Sequence, residues 1–381
     1  VQLDFTSDQD ELRSSIRQVL DKECPPSLVR AHVDHIVRGE DSAAGVGLWS
    51  TFAGLDWPAL TVPEVHGGIG LGVIELAIEA EELGRALAFG PLLPTVAAFV
   101  PAVREAATDA AQAARWLSPV AAGEVTGTLA VAEGASAWSS DDVGATATPD
   151  GDGYVLAGTK RWVILEGATE IVCAVRTPGT VGTDGISLVV VPAGSTTIEL
   201  VRSLDATRLV GHVNLDGVHI DADRVLGEPG RGAAALQRAV EEATVAASLE
   251  LVGTCQAIFD TNLRYAKERH QFGVPIGSFQ AVKHKLANMF VAIERARATA
   301  LFAAATIEED DPRRTIAASM AKAAAGEAQR LVAQDGIQLL GGIGYTWEHD
   351  QQLWVKRAKA AEPLFGSAAW HRQHIASLLG L

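Results

Sequence analysis

Apolar positions along this chain change their period twice, and the changes divide it into three parts. Up to about residue 120 they recur at helical spacing: Leu12, Ile16 and Leu20 follow Asp8-Gln9-Asp10-Glu11, an acidic opening suited to the positive end of a helix dipole. The run from Glu75 to Leu87, rich in Ala, Leu and Glu, predicts a second helix, and Val62-Pro63-Glu64-Val65-His66-Gly67-Gly68-Ile69-Gly70 a glycine-punctuated turn between them. From about residue 127 the segments become short and β-branched. Tyr154-Val155-Leu156, Ile171 to Val175 and Ile186 to Val191 predict strands, separated by turn signals at Gly151-Asp152-Gly153 and Asp184-Gly185. This β-rich part closes around Gly227-Glu228-Pro229-Gly230.

Helical spacing then returns. Leu236, Val240, Ala243, Ala247, Leu251, Cys255 and Phe259 predict one buried stripe on a long helix. Further helices are expected from Phe279 to about Thr306, from about Arg314 to Leu340, and from about Ser367. Long helices with little between them imply a four-helix bundle. The expected class is α+β, with a helical domain at 1–126, a β-domain at 127–228 and a helical bundle at 229–381.

Composition narrows the partners. Apolar residues make up 48% of the 381 and charged residues 20%, an ordinary globular balance. A formal net charge of -16 argues against nucleic acid or an anionic membrane, both of which reward clustered Lys and Arg. A phosphate-bearing ligand remains compatible if a few cations are placed locally. Cys24, Cys173 and Cys255 are far apart, match no metal spacing and sit among apolar neighbours, so buried reduced thiols and a cytoplasmic location are expected. The apolar stretch from Ala86 to Val103 is broken by Pro91, Pro94 and Pro101, which excludes it as a membrane span.

Two late motifs carry legible chemistry. Arg264-Tyr265-Ala266-Lys267-Glu268-Arg269-His270-Gln271-Phe272-Gly273 delivers at Arg269 a guanidinium fork suited to a pyrophosphate; taken singly, Arg269 is also an ordinary surface charge. In Gln338-Leu339-Leu340-Gly341-Gly342-Ile343-Gly344-Tyr345-Thr346 the glycine pair lets backbone approach a ligand closely, with an amide one turn earlier. The pair also reads as a helix C-terminus. No strand-linked G-x-G-x-x-G is present, so a Rossmann nucleotide site is excluded.

Together with Pro63-Glu64-Val65-His66-Gly67-Gly68 and Tyr154-Val155-Leu156-Ala157-Gly158-Thr159-Lys160-Arg161-Trp162-Val163, these motifs resemble the acyl-CoA dehydrogenase family along nearly the whole chain. The resemblance implies an FAD enzyme that desaturates acyl-CoA thioesters, with electron-transfer flavoprotein as electron acceptor. It implies that Arg269, Gln271, Phe272, Gln338, Gly341 and Gly342 reach across a dimer interface to the ADP half of a neighbour's FAD.

The chain departs from the family where the chemistry starts. A carboxylate must take the α-proton, and in the common arrangement a Glu precedes a glycine and a threonine. Phe365-Gly366-Ser367 stands there. Where other members place the base on a bundle helix, the match gives Ala243 and Thr244; Glu241 and Glu242 lie close by, Glu362 stands three residues before Phe365, and all three read as solvated carboxylates. The family's threonine-glutamate-proline loop is replaced by Ala132-Glu133-Gly134-Ala135-Ser136-Ala137-Trp138, followed by Ser139-Ser140-Asp141. Ile164 stands where a hydroxyl often bonds the flavin, and Trp162 reads either as a flavin neighbour or as a core residue.

The losses fall on the flavin and base side, and the ADP-side motifs are retained. That pattern resembles the base-lacking subunit of bacterial α2β2 acyl-CoA dehydrogenases, which complete FAD sites on a homologous catalytic chain; several act on steroid side-chain CoA esters. Three other readings stay open: a homotetrameric oxidase or monooxygenase on the same fold, a non-enzymatic scaffold, and a conventional dehydrogenase using Glu241, Glu242 or Glu362 as base.

Overall fold

A computed structural model of the chain describes residues 5–40, 44–134 and 138–381. Its helices open with α1 (Ser7–Glu23), α2 (Pro26–Val37), α3 (Ala44–Ala53) and α4 (Val73–Ala86). The α1 start is a capping box: Thr6 accepts from the Gln9 backbone, and the Gln9 side chain accepts from the Thr6 N–H. A short α5 (Leu92–Pro94), a π-helical turn at Thr95–Phe99 and α6 (Val100–Ala106) follow, then α7 (Ala110–Ala121). The expected break at the prolines is corrected: the backbone stays helical from Leu92 to Ala106, with Pro94 and Pro101 absorbed by a change to π-helical hydrogen bonding, and only Pro91 precedes it. Among the described residues no helix is long and apolar enough to cross a membrane.

The strands are β1 (Gly127–Ala130), β2 (Thr146–Asp150), β3 (Gly153–Ala157), β4 (Thr159–Ile164), β5 (Glu170–Arg176), β6 (Ile186–Pro192), β7 (Thr197–Val201), β8 (Val210–Asn214), β9 (Val218–Asp221) and β10 (Val225–Leu226). One sheet runs β10-β6-β5-β2-β3-β9, with β1 parallel to β5; a second is β4-β8-β7. In β5 and β6 nearly every residue is buried, which is why both read as unbroken apolar runs rather than as alternation. Beyond them lie α8 (Ala233–Glu268), a hairpin of β11 (His270–Gln271) and β12 (Val274–Pro275), α9 (Gln280–Glu308), α10 (Arg314–Leu340), α11 (Gln351–Ala361) and α12 (Ala368–Leu378).

The chain divides into two units, one comprising Val1–Asp41, Ala77–Ala88 and Thr244–Leu381, the other Ser42–Leu76 and Phe89–Ala243. The core of the second unit gathers Leu156, Ile171, Cys173, Val189 and Val213 from its sheets. Gly127 at the head of β1 admits the Phe99 ring, which would lie 2.2 Å from any Cβ there.

The first unit is the helical one. Where α4 crosses α8, a Cβ on Gly84 would meet the Glu250 carbonyl oxygen at 2.0 Å and one on Gly253 the Glu81 oxygen at 1.9 Å. The helices touch backbone to backbone. The single stripe expected on α8 is corrected here: from Glu241 to Cys255 every residue but Ala247 is buried, because the helix is surrounded. Helix α11 was not anticipated. Its inward side is half polar, with Gln351, Gln352 and Arg357 buried beside Leu353, Ala358 and Ala361; Arg357 pairs with Glu250 at 2.7 Å, and Asn262 donates to Gln351 at 2.7 Å.

Two outcomes follow from this packing. Gly253→Ala should cost about 3 kcal/mol in urea unfolding, since a helix backbone and not a side chain must move. Glu79 on α4 is fully buried, neither carboxyl oxygen has a hydrogen-bond partner among the described residues, and burial pushes its pKa up to about 8. The unfolded chain therefore gives up this proton first, and Glu79 makes stability fall as pH rises from about 4.5 to about 8. Unfolding titrations at pH 5 and pH 8 should show Glu79→Met gaining stability over the parent at the higher pH only.

Candidate active-site region and family

In the helical unit, α8 ends at the hairpin that carries Arg269, Gln271 and Phe272. Its two loop residues, Phe272 and Gly273, have φ of 55° and 83°, the signature of a type I′ turn that the paired strands require. Phenylalanine rarely adopts that conformation, and the ring stands 91% exposed. The Arg269 guanidinium and the Gln338 amide are exposed and make no hydrogen bond or ion pair among the described residues. Gly341 is at once the C-cap of α10, donating to the Ile337 carbonyl, and an open approach, for nothing lies within 4 Å of a Cβ on it or on Gly342. The pair is thus a helix C-terminus with open space beside it. No hydrogen bond among the described residues joins the hairpin to this pair.

The turn around Phe365 is tightly built. Phe365 and Gly366 have φ of 56° and 98°. Lys322, fully buried on α10, donates to the Glu362 carbonyl at 2.5 Å and the Gly366 carbonyl at 2.7 Å. Burial brings its pKa down to about 8. His371 is also held neutral, its pKa lowered to about 3 by burial first and Lys322 second, so its Nε2–H donates to the Phe365 carbonyl at 2.8 Å. The Glu362 carboxylate accepts from the Ala368 N–H at 2.8 Å, beside the Ser367 N-cap of α12. The Phe365 side chain is buried and offers no base.

Reading Glu241 and Glu242 as solvated carboxylates is corrected by the second unit. Both are buried, because α8 is covered on the side where a lone helix would be wet. Glu242 is held by Arg104 of α6 at 2.5 Å, and burial raises its pKa despite that cation. Glu241 accepts from Gln237 at 3.0 Å. Glu362 is corrected likewise, since it caps a helix. The neighbouring Ala243 and Thr244 are buried and carry no ionisable group.

In the β-domain Glu133 is consumed structurally. It accepts from the Gly144 and Ala145 N–H groups and pairs at 2.5 Å with Lys160, which is fully buried. Residues 135–137 of the same loop lie outside the described residues. The β4–β8 register shifts between Lys160 and Val163, and Trp162 sits in that bulge with φ 60°, edge-on to His212 at 5.1 Å. Ile164 is half-buried and adds no polar atom. Sequence reasoning missed Lys322 and His371. A lone lysine in the alanine-rich run Ala317 to Ala325 was the available signal.

Residues 6–124 match the model of the acyl-CoA dehydrogenase N-terminal domain, and residues 230–380 that of the C-terminal domain. The mouse short-chain specific mitochondrial acyl-CoA dehydrogenase is 30% identical over 84% of this chain and 79% of its own length. The chain belongs to the acyl-CoA dehydrogenase family. Acyl-CoA dehydrogenases are FAD-dependent oxidoreductases, and this one shares their order of helical, β and helical parts. Among solved structures, a chain of the Tcur3481-Tcur3483 steroid ACAD superposes with a TM-score of 0.85 at 29% identity, covering 98% of each chain. A chain of the ChsE4-ChsE5 complex from Mycobacterium tuberculosis superposes at 0.87 with 25% identity, covering 100% of this chain and 99% of that one.

Removing the lysine tests the clamp on this dehydrogenase's 362–366 turn. Lys322→Met leaves two buried carbonyls unpaired and should cost roughly 2–5 kcal/mol in denaturant unfolding. The lysine's folded pKa lies below its unfolded one, so the parent gains stability between about pH 8 and pH 10.5, and the variant should lose that rise.

Proposed function

We propose that this chain is the base-lacking subunit of an α2β2 acyl-CoA dehydrogenase, completing FAD sites on a homologous catalytic chain. One observation carries the reading: the turn that would present the base is fully built, yet presents Phe365, while the Arg269 guanidinium and Gln338 amide stand free and exposed. The donor set fits the phosphate half of FAD. Arg269 offers a fork to a pyrophosphate, with Gln271 and Phe272 beside it on the hairpin; Gln338 offers an amide, and Gly341 and Gly342 an unobstructed backbone. It does not fit the flavin ring, since Ile164 has no donor and Glu133 is already taken up by Lys160. FAD supplies the hydride acceptor, and the proton-accepting group belongs in this reading to the partner.

Further support comes from the surface of the helical unit. Phe272, Phe279, Phe290, Ile343, Tyr345 and Trp347 are exposed there, large apolar side chains of the kind a partner chain covers. The ChsE4-ChsE5 structure is a complex of two named chains, and Tcur3481-Tcur3483 is named as a steroid ACAD, which favours a heteromer and a steroid side-chain CoA ester as substrate. Electron-transfer flavoprotein is the acceptor in this reading.

The visible absorbance spectrum tests it. Purified alone, the chain should carry no flavin; co-purified with its catalytic partner, the complex should hold near one flavin per pair of chains. Flavin at one per chain in the protein alone would overturn the proposal in favour of a homomeric enzyme. Within the complex, Arg269→Gln should weaken FAD binding about 10- to 100-fold, the loss of a charge-assisted contact, read as flavin released on dilution.

A further inference from the structure

The groups read above as contacts to one ADP moiety leave different helices. Arg269 follows the end of α8, whereas Gln338 and the glycine pair close α10. With no hydrogen bond between the two among the described residues, their spacing is set deeper in the helical unit.

It is set at Asn262. This residue lies seven positions before Arg269, two helical turns or about 10 Å along α8, and is fully buried. Its Nδ2 group donates to the Ile258 carbonyl at 2.8 Å and to Oε1 of Gln351, the first residue of α11, at 2.7 Å. Helix α10 passes the same point at Gly336, two residues before Gln338. A Cβ there would stand 2.7 Å from Ile258 Cγ2, 3.1 Å from Asn262 Nδ2 and 3.4 Å from Gln351 Nε2. Three helices thus meet on one amide pair, and both arms start from it. Gln351 also closes the segment that begins at Gly341. Arg30 of α2 holds that segment beside it, donating to the Trp347 carbonyl and to Asp350, each at 2.8 Å.

The amide pair is poorly suited to a purely stabilising role. Asn262 Oδ1 and Gln351 Nε2 are buried with no hydrogen-bond partner among the described residues. Burying two such groups unpaired costs more than one neutral hydrogen bond contributes, so apolar side chains of the same shape would hold the helices as firmly. They would not supply direction. Nδ2 is shared between a carbonyl of its own helix and one oxygen of Gln351, which selects one axial position of α11 against α8. Fixing register is the best-attested use of a polar contact kept in a core.

We infer that Asn262 and Gln351 are positioning residues for the ADP-side contacts. Their bond fixes where the end of α10 and the 341–350 segment stand relative to the Arg269 hairpin. For its ligand the inference rests on the flavin reading proposed above; for the register it rests on these contacts alone.

Asn262→Leu combined with Gln351→Met tests it, removing the bond and both orphaned atoms at nearly constant volume. In the chain alone the urea midpoint should stay level or rise, while amide exchange across 341–350 speeds up about 5- to 10-fold, the restraint of one hydrogen bond. In the complex with the catalytic partner, FAD should be lost on dilution about 5- to 10-fold more readily. A purely structural pair gives the opposite split, a lower midpoint with unchanged flavin release. Unchanged exchange at 341–350, or unchanged flavin release where Arg269→Gln loosens FAD, would each overturn the inference. If Arg269→Gln itself leaves FAD in place, the flavin reading fails instead, and the exchange measurement alone decides the register. Gln351→Met by itself, which leaves Asn262 its bond to the Ile258 carbonyl, supplies both readings if the double variant does not fold.

Discussion

Backbone contact between α4 and α8 is the constraint on which the helical unit depends. Glycine at 84 and 253 lets the two helices close until carbonyl oxygen replaces side chain as the neighbour. Side chains from three other helices of that unit dock on the pair. Trp354 and Arg357 of α11 donate to the carbonyls of Arg85 and Ala88, Arg357 also holds Glu250, and Arg297 of α9 reaches Glu81. Arg17 from α1 grips Glu82. Buried ion pairs of this kind contribute little net stability, but removing one partner strands a charge. They fix which helix meets which.

Against that frame stands the turn at 362–366. Its geometry is held by a buried lysine on two carbonyls, a neutral histidine on a third and a carboxylate on a helix N–H. A family built on proton abstraction needs such rigidity, because a base displaced by an ångström loses much of its effect. Here the rigidity persists around a side chain without a proton site. The same contrast holds in the β-domain, where Lys160 and Glu133 stay paired beside an apolar Ile164.

How far the sequence could lead differs by element. Strands β5 and β6 were readable because full burial on both faces leaves an unbroken β-branched run. The long helices α9 and α10 were readable from length and spacing. Helix α11 was not, since its buried side holds Gln351, Gln352 and Arg357, which mimic a solvated surface. Glu241 and Glu242 misled for the same reason: local pattern cannot tell a carboxylate facing water from one facing Arg104, 138 positions away. The site's own letters, Phe365 and Arg269, were legible by motif. Lys322 was not, because its role is defined by carbonyls about forty residues distant in the chain, contacts a motif does not encode.

The hairpin at 270–275 has a further consequence. Holding phenylalanine in a left-handed turn costs of order 1–3 kcal/mol, met when the chain folds rather than when anything docks. The Phe272 ring, edge-on to Phe279 at 6.1 Å, is thus fixed before contact. A molecule arriving at this tip meets a backbone already set, and forfeits less conformational entropy there than at a loop that must order itself on contact.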